Sequence, residues 1–142
     1  MSEANKALVR RIIEEVVNTG DFSSLNEFVS SDYRYFEPTL GTITGRDGYR
    51  SIVSMYRNAF PDMTLMIDEQ IAEGDTVVTR FSARGTHQGE LLGLAPTGKP
   101  VSVQGITISR IRDGQLVEDH ECYDVHGMMR QLGVLQAAVR AA

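Results

Sequence analysis

The segment VSVQGITISRIRDGQLVEDHECYDV, residues 101–125, decides the fold. Arg112-Asp113-Gly114 is a tight-turn signature, so Val101 to Ile111 and Leu116 to Val125 read as paired antiparallel strands. The same period of two runs upstream through Met63, Leu65 and Ile67 and, past the turn Glu73-Gly74-Asp75, through Val77, Thr79, Phe81 and Ala83. Four long strands in meander order are therefore expected. A glycine-rich excursion from Gly85 to Gly98 separates the second from the third.

The first half changes period. From Asn5 to Asn18 the apolar residues Leu8, Val9, Ile12, Ile13, Val16 and Val17 follow helical spacing, with charged residues on the opposite face. Gly20 ends this helix, and Asp21 or Ser23 can cap a second short one carrying Leu25, Phe28 and Val29. Ser30 to Pro38 suits a short extended segment, and Gly41, Gly45 and Gly48 mark a loop. A third helix from about Asp47 to Phe60 places Tyr49, Ile52, Val53, Tyr56 and Phe60 on one stripe before Pro61. After the strands, Met128, Met129, Leu132, Leu135 and Val139 predict a closing helix or two, interrupted at Gly133. Three helices followed by a bent antiparallel sheet give an α+β plan in one domain, residues 1–142.

Composition excludes several function classes. The formal net charge is −5, and the basic residues are scattered, so the stripe that phosphate neutralisation needs is missing and nucleic acid is not an expected partner. No apolar run approaches a membrane-spanning length, and Met1 to Arg11 lacks the apolar core of a leader, so a cytoplasmic protein is expected, with no membrane partner. Cys122 is the single cysteine, which excludes an internal disulfide and a cysteine-based zinc site. Phosphate-binding glycine loops, dinucleotide fingerprints and the Gly-x-Ser-x-Gly elbow are absent.

The strand Gln115 to Asp124 carries an unusual polar load: Glu118, Asp119, His120, Glu121 and Asp124. Alternation puts Val117, Asp119, Glu121 and Tyr123 on one face, and Glu118, His120, Cys122 and Asp124 on the other. If the first face looks into an apolar interior, it brings carboxylates there, and burial raises a carboxyl pKa toward the neutral range useful for acid/base work. Asp124 stands at the strand end as a second candidate; a cap for the helix beginning near His126 is the alternative reading. His87, beside Gly85, either orients an acid or a carbonyl oxygen or hydrogen-bonds a turn.

Several stretches carry a resemblance. They are Asn18-Thr19-Gly20-Asp21 after the opening helix, Ala59-Phe60-Pro61-Asp62, Ile71-Ala72-Glu73-Gly74-Asp75, the run Gly85-Thr86-His87-Gln88-Gly89-Glu90-Leu91-Leu92-Gly93-Leu94-Ala95-Pro96-Thr97-Gly98, and Arg130-Gln131-Leu132-Gly133. Together they cover nearly the whole chain. This pattern resembles the SnoaL-like polyketide cyclases, which have the nuclear transport factor 2-like fold. The resemblance implies a cone-shaped barrel, its curved antiparallel sheet packed on three N-terminal helices around a hydrophobic pocket. It also implies intramolecular aldol cyclisation of a polyketide-like carbonyl compound, as in antibiotic biosynthesis, without metal or cofactor.

Counted back without gaps from Arg130-Gln131-Leu132-Gly133, the family's catalytic carboxylate falls on Glu121, one methylene longer than the family's aspartate. The resemblance places Tyr35 and Phe36 at the pocket mouth, where many members have asparagine, aspartate or histidine. It sets Thr107 where the family cyclase has a histidine and Gly105 where it has a glutamine, which implies a less polar wall. Tyr33, Tyr35, Tyr49, Tyr56, Phe60 and Phe81 are candidates to stack on a flat hydrophobic substrate, with Phe36, Thr107 and Tyr123 completing its expected surroundings. Epoxide opening or isomerisation, cofactor-independent hydroxylation and non-catalytic docking occur on the same fold and stand as alternatives. A homodimer or homotetramer is expected through the exposed sheet face, with Ile106 and Ile108 as outward apolar residues.

Overall fold

The computed structural model describes residues 2–134. Helix α1, Ser2–Ile12, buries Val9 and Ile12 and then widens into one π-helical turn, Ile13–Val17, closed by the Asn18 amide on the Ile13 carbonyl. The Asn18 side chain fixes this end to the sheet: its Nδ2 donates to the Leu65 carbonyl at 3.0 Å, and its Oδ1 accepts from the Leu65 amide at 2.8 Å. Gly20, at φ +74°, ends the helix as the sequence suggests. The second helix, α2, is a single turn, Leu25–Phe28.

Strands β1, Val29–Glu37, and β2, Gly41–Thr44, come next and lead directly into α3, Gly45–Ala59. Strands β3, Thr64–Glu73, β4, Thr76–Thr86, β5, Pro100–Arg112, and β6, Gln115–Tyr123, form the expected meander, and α4, Val125–Gln131, follows. The sheet order is β2-β1-β6-β5-β4-β3. Positions Leu135 and Val139 of the expected tail helix lie outside the described residues.

This architecture corrects the sequence expectation in three respects. The sheet is mixed rather than antiparallel, because β1 runs parallel to β6, with Tyr35 opposite Asp119 and Phe36 opposite His120. It is open rather than a closed barrel, with β2 and β3 as its edges. The picture of three N-terminal helices gives way to α1, a one-turn α2 and an α3 that arrives only after two strands. A strand's alternation states which face each side chain takes but not which distant strand lies beside it, so the β1–β6 pairing has no local signal.

Register shifts between Ile67 and Glu69, between Arg110 and Ile111, and between Val29 and Arg34 bend the sheet. Helix α1 packs against β3 and β4, and α3 against β1. One buried cluster, centred on Val16, Leu25, Phe28, Val29 and Tyr33, lies under α1 and α3; a second joins Ala59, Phe60, Leu91, Val101, Met128 and Leu132. Tyr56 packs against both.

Asp124, a sequence candidate for catalysis, is the N-cap of α4: its side chain accepts from the Gly127 amide at 2.8 Å. A Cβ at 127 would fall on the Asp124 carboxylate, so any larger residue there displaces the cap. Asp124→Ala is expected to lower stability by about 1 kcal/mol, the usual worth of such a cap, in urea unfolding while the turnover measured below stays within about threefold.

Candidate active site

The inward faces of β4, β5 and β6, with α1 and α3 across from them, line an open-mouthed cavity of about 160 Å³. Its wall is mostly apolar, with Ile12, Val53, Phe60, Phe81, Val103 and Met128 among the residues facing it. Two carboxylates break that surface. Both come from β6, and alternation makes them neighbours on one face.

Glu121 holds the centre. Its Oε2 accepts from the Tyr35 hydroxyl at 2.9 Å and its Oε1 from the Thr107 hydroxyl at 3.1 Å. Thr107 stands directly opposite it on β5, and Tyr35 reaches across from β1. Burial pushes the carboxyl pKa up to about 7; the negative charges of Asp119 and Glu37 add to the rise, and the two hydroxyls counteract it.

Asp119, two residues earlier, is 7% exposed. Its Oδ1 accepts from Ser109 at 2.6 Å and its Oδ2 from Tyr33 at 2.8 Å. Burial raises this pKa as well, to about 6, against the lowering influence of Ser109 and Tyr33. At the other end of the face the Tyr123 and Tyr56 hydroxyls lie 2.7 Å apart. The tyrosines around the carboxylates are held protonated: burial and the nearby negative charge raise Tyr33, Tyr35, Tyr49 and Tyr56 above their ordinary value.

The arrangement is suited to moving protons in an apolar enclosure, with one carboxyl poised near neutrality and its orientation fixed on both oxygens. The model of the SnoaL-like polyketide cyclase matches residues 7–132. The chain belongs to this family. It is 29% identical over 120 residues to nogalonic acid methyl ester cyclase of Streptomyces nogalater, spanning 82% of this chain and 88% of that one. Aklanonic acid methyl ester cyclase DnrD of Streptomyces peucetius is 30% identical over 132 residues, 89% of this chain and 88% of the other. Among solved structures, IdmH from Streptomyces antibioticus, described as a candidate polyketide cyclase, is 33% identical with a TM-score of 0.80, covering 92% of this chain and 99% of that one. A protein of Jannaschia sp. CCS1 shares the fold with a TM-score of 0.87 at 22% identity, over 95% of both chains. The protein is thus an enzyme of the SnoaL cyclase type, and its relatives cyclise polyketides.

Within this SnoaL-type site the sequence candidates divide. Tyr35, Tyr56, Phe60, Phe81, Thr107, Glu121 and Tyr123 all face the cavity. Phe36 does not: strand alternation turns it outward, where it stacks on His120 with ring centroids 4.5 Å apart. His87 is fully buried but is not part of the cavity wall; it packs against Phe60 at 5.5 Å between centroids. The Thr97 amide donates to its Nδ1 at 3.1 Å, which puts the ring proton on Nε2, and Nε2 has no partner among the described residues. With its backbone also bonded to Gly98 and Lys99, His87 closes the base of the excursion between β4 and β5.

The Thr107 hydroxyl is spent on Glu121. Gly105 adds no side chain, and Phe81 and Tyr123 close over it. The Asp119 cluster was partly legible, since parity put Asp119 beside Glu121 and spaced Ser109 and Thr107 two apart on the facing strand. Nothing local announced Tyr33. The three histidines do not converge, and no group of three or more His, Cys, Asp or Glu side chains among the described residues is placed to hold a metal ion.

The raised pKa of Glu121 has a stability consequence whose direction is fixed. A folded pKa of about 7 against an ordinary 4.5 means that the folded state binds the proton more tightly, so stability from this group is full below pH 4.5 and is lost as pH rises through 7. Glu121→Gln is therefore expected to exceed the unsubstituted protein in stability at pH 8, by roughly 1–3 kcal/mol at about 1.4 kcal/mol per pKa unit, with the gap closing by pH 5. Urea unfolding at both pH values reads this, and a gap of the same size at both refutes it.

Proposed function

We propose that the protein closes a ring by intramolecular aldol condensation in a hydrophobic polyketide-like substrate, with Glu121 as the group that takes and returns the proton. The observation that carries this reading is the Glu121 carboxylate, its two oxygens oriented by hydroxyl donors, Tyr35 and Thr107, and its side chain facing an apolar cavity. The substrate class follows the relatives, whose names specify methyl esters of nogalonic and aklanonic acids.

In the proposed sequence, the Glu121 carboxylate takes a proton from the carbon between two carbonyl groups, and the C–H electron pair moves into the enolate. That carbon attacks a second carbonyl of the same molecule; the C–C bond forms as the C=O π pair becomes an alkoxide, which is then protonated. Proximity supplies much of the rate, since the folded substrate holds both reacting carbons in one cavity. The route calls for neither a metal nor a cofactor.

Glu121→Gln is expected to lower kcat with aklanonic acid methyl ester by at least about 10²-fold, the low end for loss of a general base; turnover within threefold of the unsubstituted enzyme sinks the assignment. The base must be ionised, so kcat/KM should rise with pH through an inflection near pH 7 and level off above it. Removing the neighbouring negative charge with Asp119→Asn moves that limb to lower pH, because Asp119 is one of the groups that raise Glu121.

One observation favours a second reading. Epoxide opening needs an acid and a base, and Asp119 is a second cavity carboxyl, raised to about 6. Incorporation of label from ¹⁸O water into the diol of a polycyclic epoxide distinguishes this reaction from ring closure.

We further propose that two copies pair through the outer sheet face, where Ile106 and Ile108 are 47% and 40% exposed beside Cys122 and the Phe36–His120 stack. Ile106→Glu is expected to shift the sedimentation coefficient from dimer to monomer; an unsubstituted protein that sediments as a monomer at micromolar concentration refutes the pairing.

A further inference from the structure

The inward face of β6 is built in three successive rungs, and the third differs from the other two. Asp119 lies opposite Ser109 and accepts from it and from Tyr33. Glu121 lies opposite Thr107 and accepts from it and from Tyr35. In each of these rungs one β5 hydroxyl and one β1 tyrosine satisfy a carboxylate, and both donated protons are spent. Tyr123 lies opposite Gly105, which has no side chain, and its hydroxyl meets that of Tyr56 from α3.

Two phenols facing each other form one hydrogen bond, in which one donates and the other accepts. One hydroxyl proton of the pair is thus left over. Both rings face the cavity, and the missing β5 side chain leaves no group on that strand to claim it. Glycine at 105 is enforced by close approach: a Cβ there would sit 2.5 Å from the tip of Phe81 and 2.7 Å from the Tyr123 Cβ. Tyr49 also lacks a hydrogen-bond partner among the described residues, but it packs edge-on against Tyr33, at the Asp119 end of the face.

Of the two phenols, the one that accepts is the better onward donor, because the bond it receives meets the charge that grows on its oxygen as its own proton leaves. Burial raises both phenols. The geometry of the bond itself allows either donor, but Tyr123 stands on β6 two residues from Glu121 and on the same cavity face, so the assignment is Tyr56 as donor to Tyr123 and Tyr123 as donor to the cavity.

We propose that Tyr123 is the acid of the ring closure, binding the carbonyl oxygen under attack and protonating it, and that Tyr56 is its positioning residue. This rests on the aldol reading given above. Side chains two residues apart on one strand face stand about 6.6 Å apart, which sets the base over the acidic carbon and the acid over the oxygen of the second carbonyl. The Tyr123 proton passes to the alkoxide as the C–C bond forms. The proton taken by Glu121 then returns to the phenolate, so both groups end as they began and no proton is gained or lost.

The test separates base from acid. Ethyl benzoylacetate has an acidic carbon but no further carbonyl placed for ring closure, so enzyme-dependent deuterium exchange at that carbon reads Glu121 alone; cyclisation of aklanonic acid methyl ester reads both. Tyr123→Phe is expected to lower kcat for closure by about 10²-fold, the usual loss of an oxyanion donor, with KM within threefold and exchange within twofold. Tyr56→Phe should show the same split at about tenfold. Closure within threefold in Tyr123→Phe overturns the proposal, as does loss of exchange together with closure, which would make Tyr123 a packing residue of the wall. Glu121→Gln run alongside should lose both signals; if it keeps both, the aldol reading falls and the acid assignment with it, whereas normal closure in Tyr123→Phe beside a dead Glu121→Gln removes the tyrosine alone.

Discussion

The structure depends on keeping two carboxyl groups out of bulk water. A carboxylate moved into an apolar interior without partners carries a desolvation cost of several kcal/mol. Here four hydroxyls offset it: Tyr33 and Ser109 for Asp119, Tyr35 and Thr107 for Glu121. The offset is incomplete, and the remainder appears as the rise of both pKa values. What remains uncompensated is what equips Glu121 for chemistry, since a fully satisfied carboxylate would hold its charge and make a poor base near neutral pH.

This constraint accounts for the arrangement of the sheet. Only a strand flanked on both sides can receive hydroxyls from both, and β6 lies between β1 and β5. Side chains from β1 and β5 then meet those of β6 on the cavity face, while the same strands present Phe36, Ile106, Ile108 and His120 outward. One strand therefore separates two environments, and a shift of one residue would exchange them.

Much of this was legible in the sequence. The hairpin from Val101 to Val125, its turn at Asp113 and Gly114 and the face shared by Asp119, Glu121 and Tyr123 all follow from period two. Strand β2 escaped notice because three residues between Gly41 and Gly45 resemble a loop, whereas the short helix α2 was expected from Leu25 and Phe28. The role of Asp124 turned on whether its side chain points to a backbone amide or to a cavity, which strand parity cannot decide at a strand's last residue. His87 stood between two readings for a related reason: a histidine beside a glycine bend signals a hydrogen bond, but not whether its partner belongs to a substrate or to a loop. The partners of the carboxylates were the least visible of all, since Tyr33 and Tyr35 are joined to them only by a pairing between distant strands.

That pairing has a consequence for how the protein comes into being. Each tyrosine of β1 is 86 residues from the carboxylate it serves. A chain emerging from the ribosome therefore presents β1 long before its neighbour exists, and the parallel contact closes a large loop, which is entropically slow. The meander β3–β4–β5 can form from local contacts, but the acidic face enters the interior only when β6 slots between β5 and the waiting β1. Assembly of the reactive centre and completion of the fold are thus the same event, and no intermediate lacking β6 buries either charge.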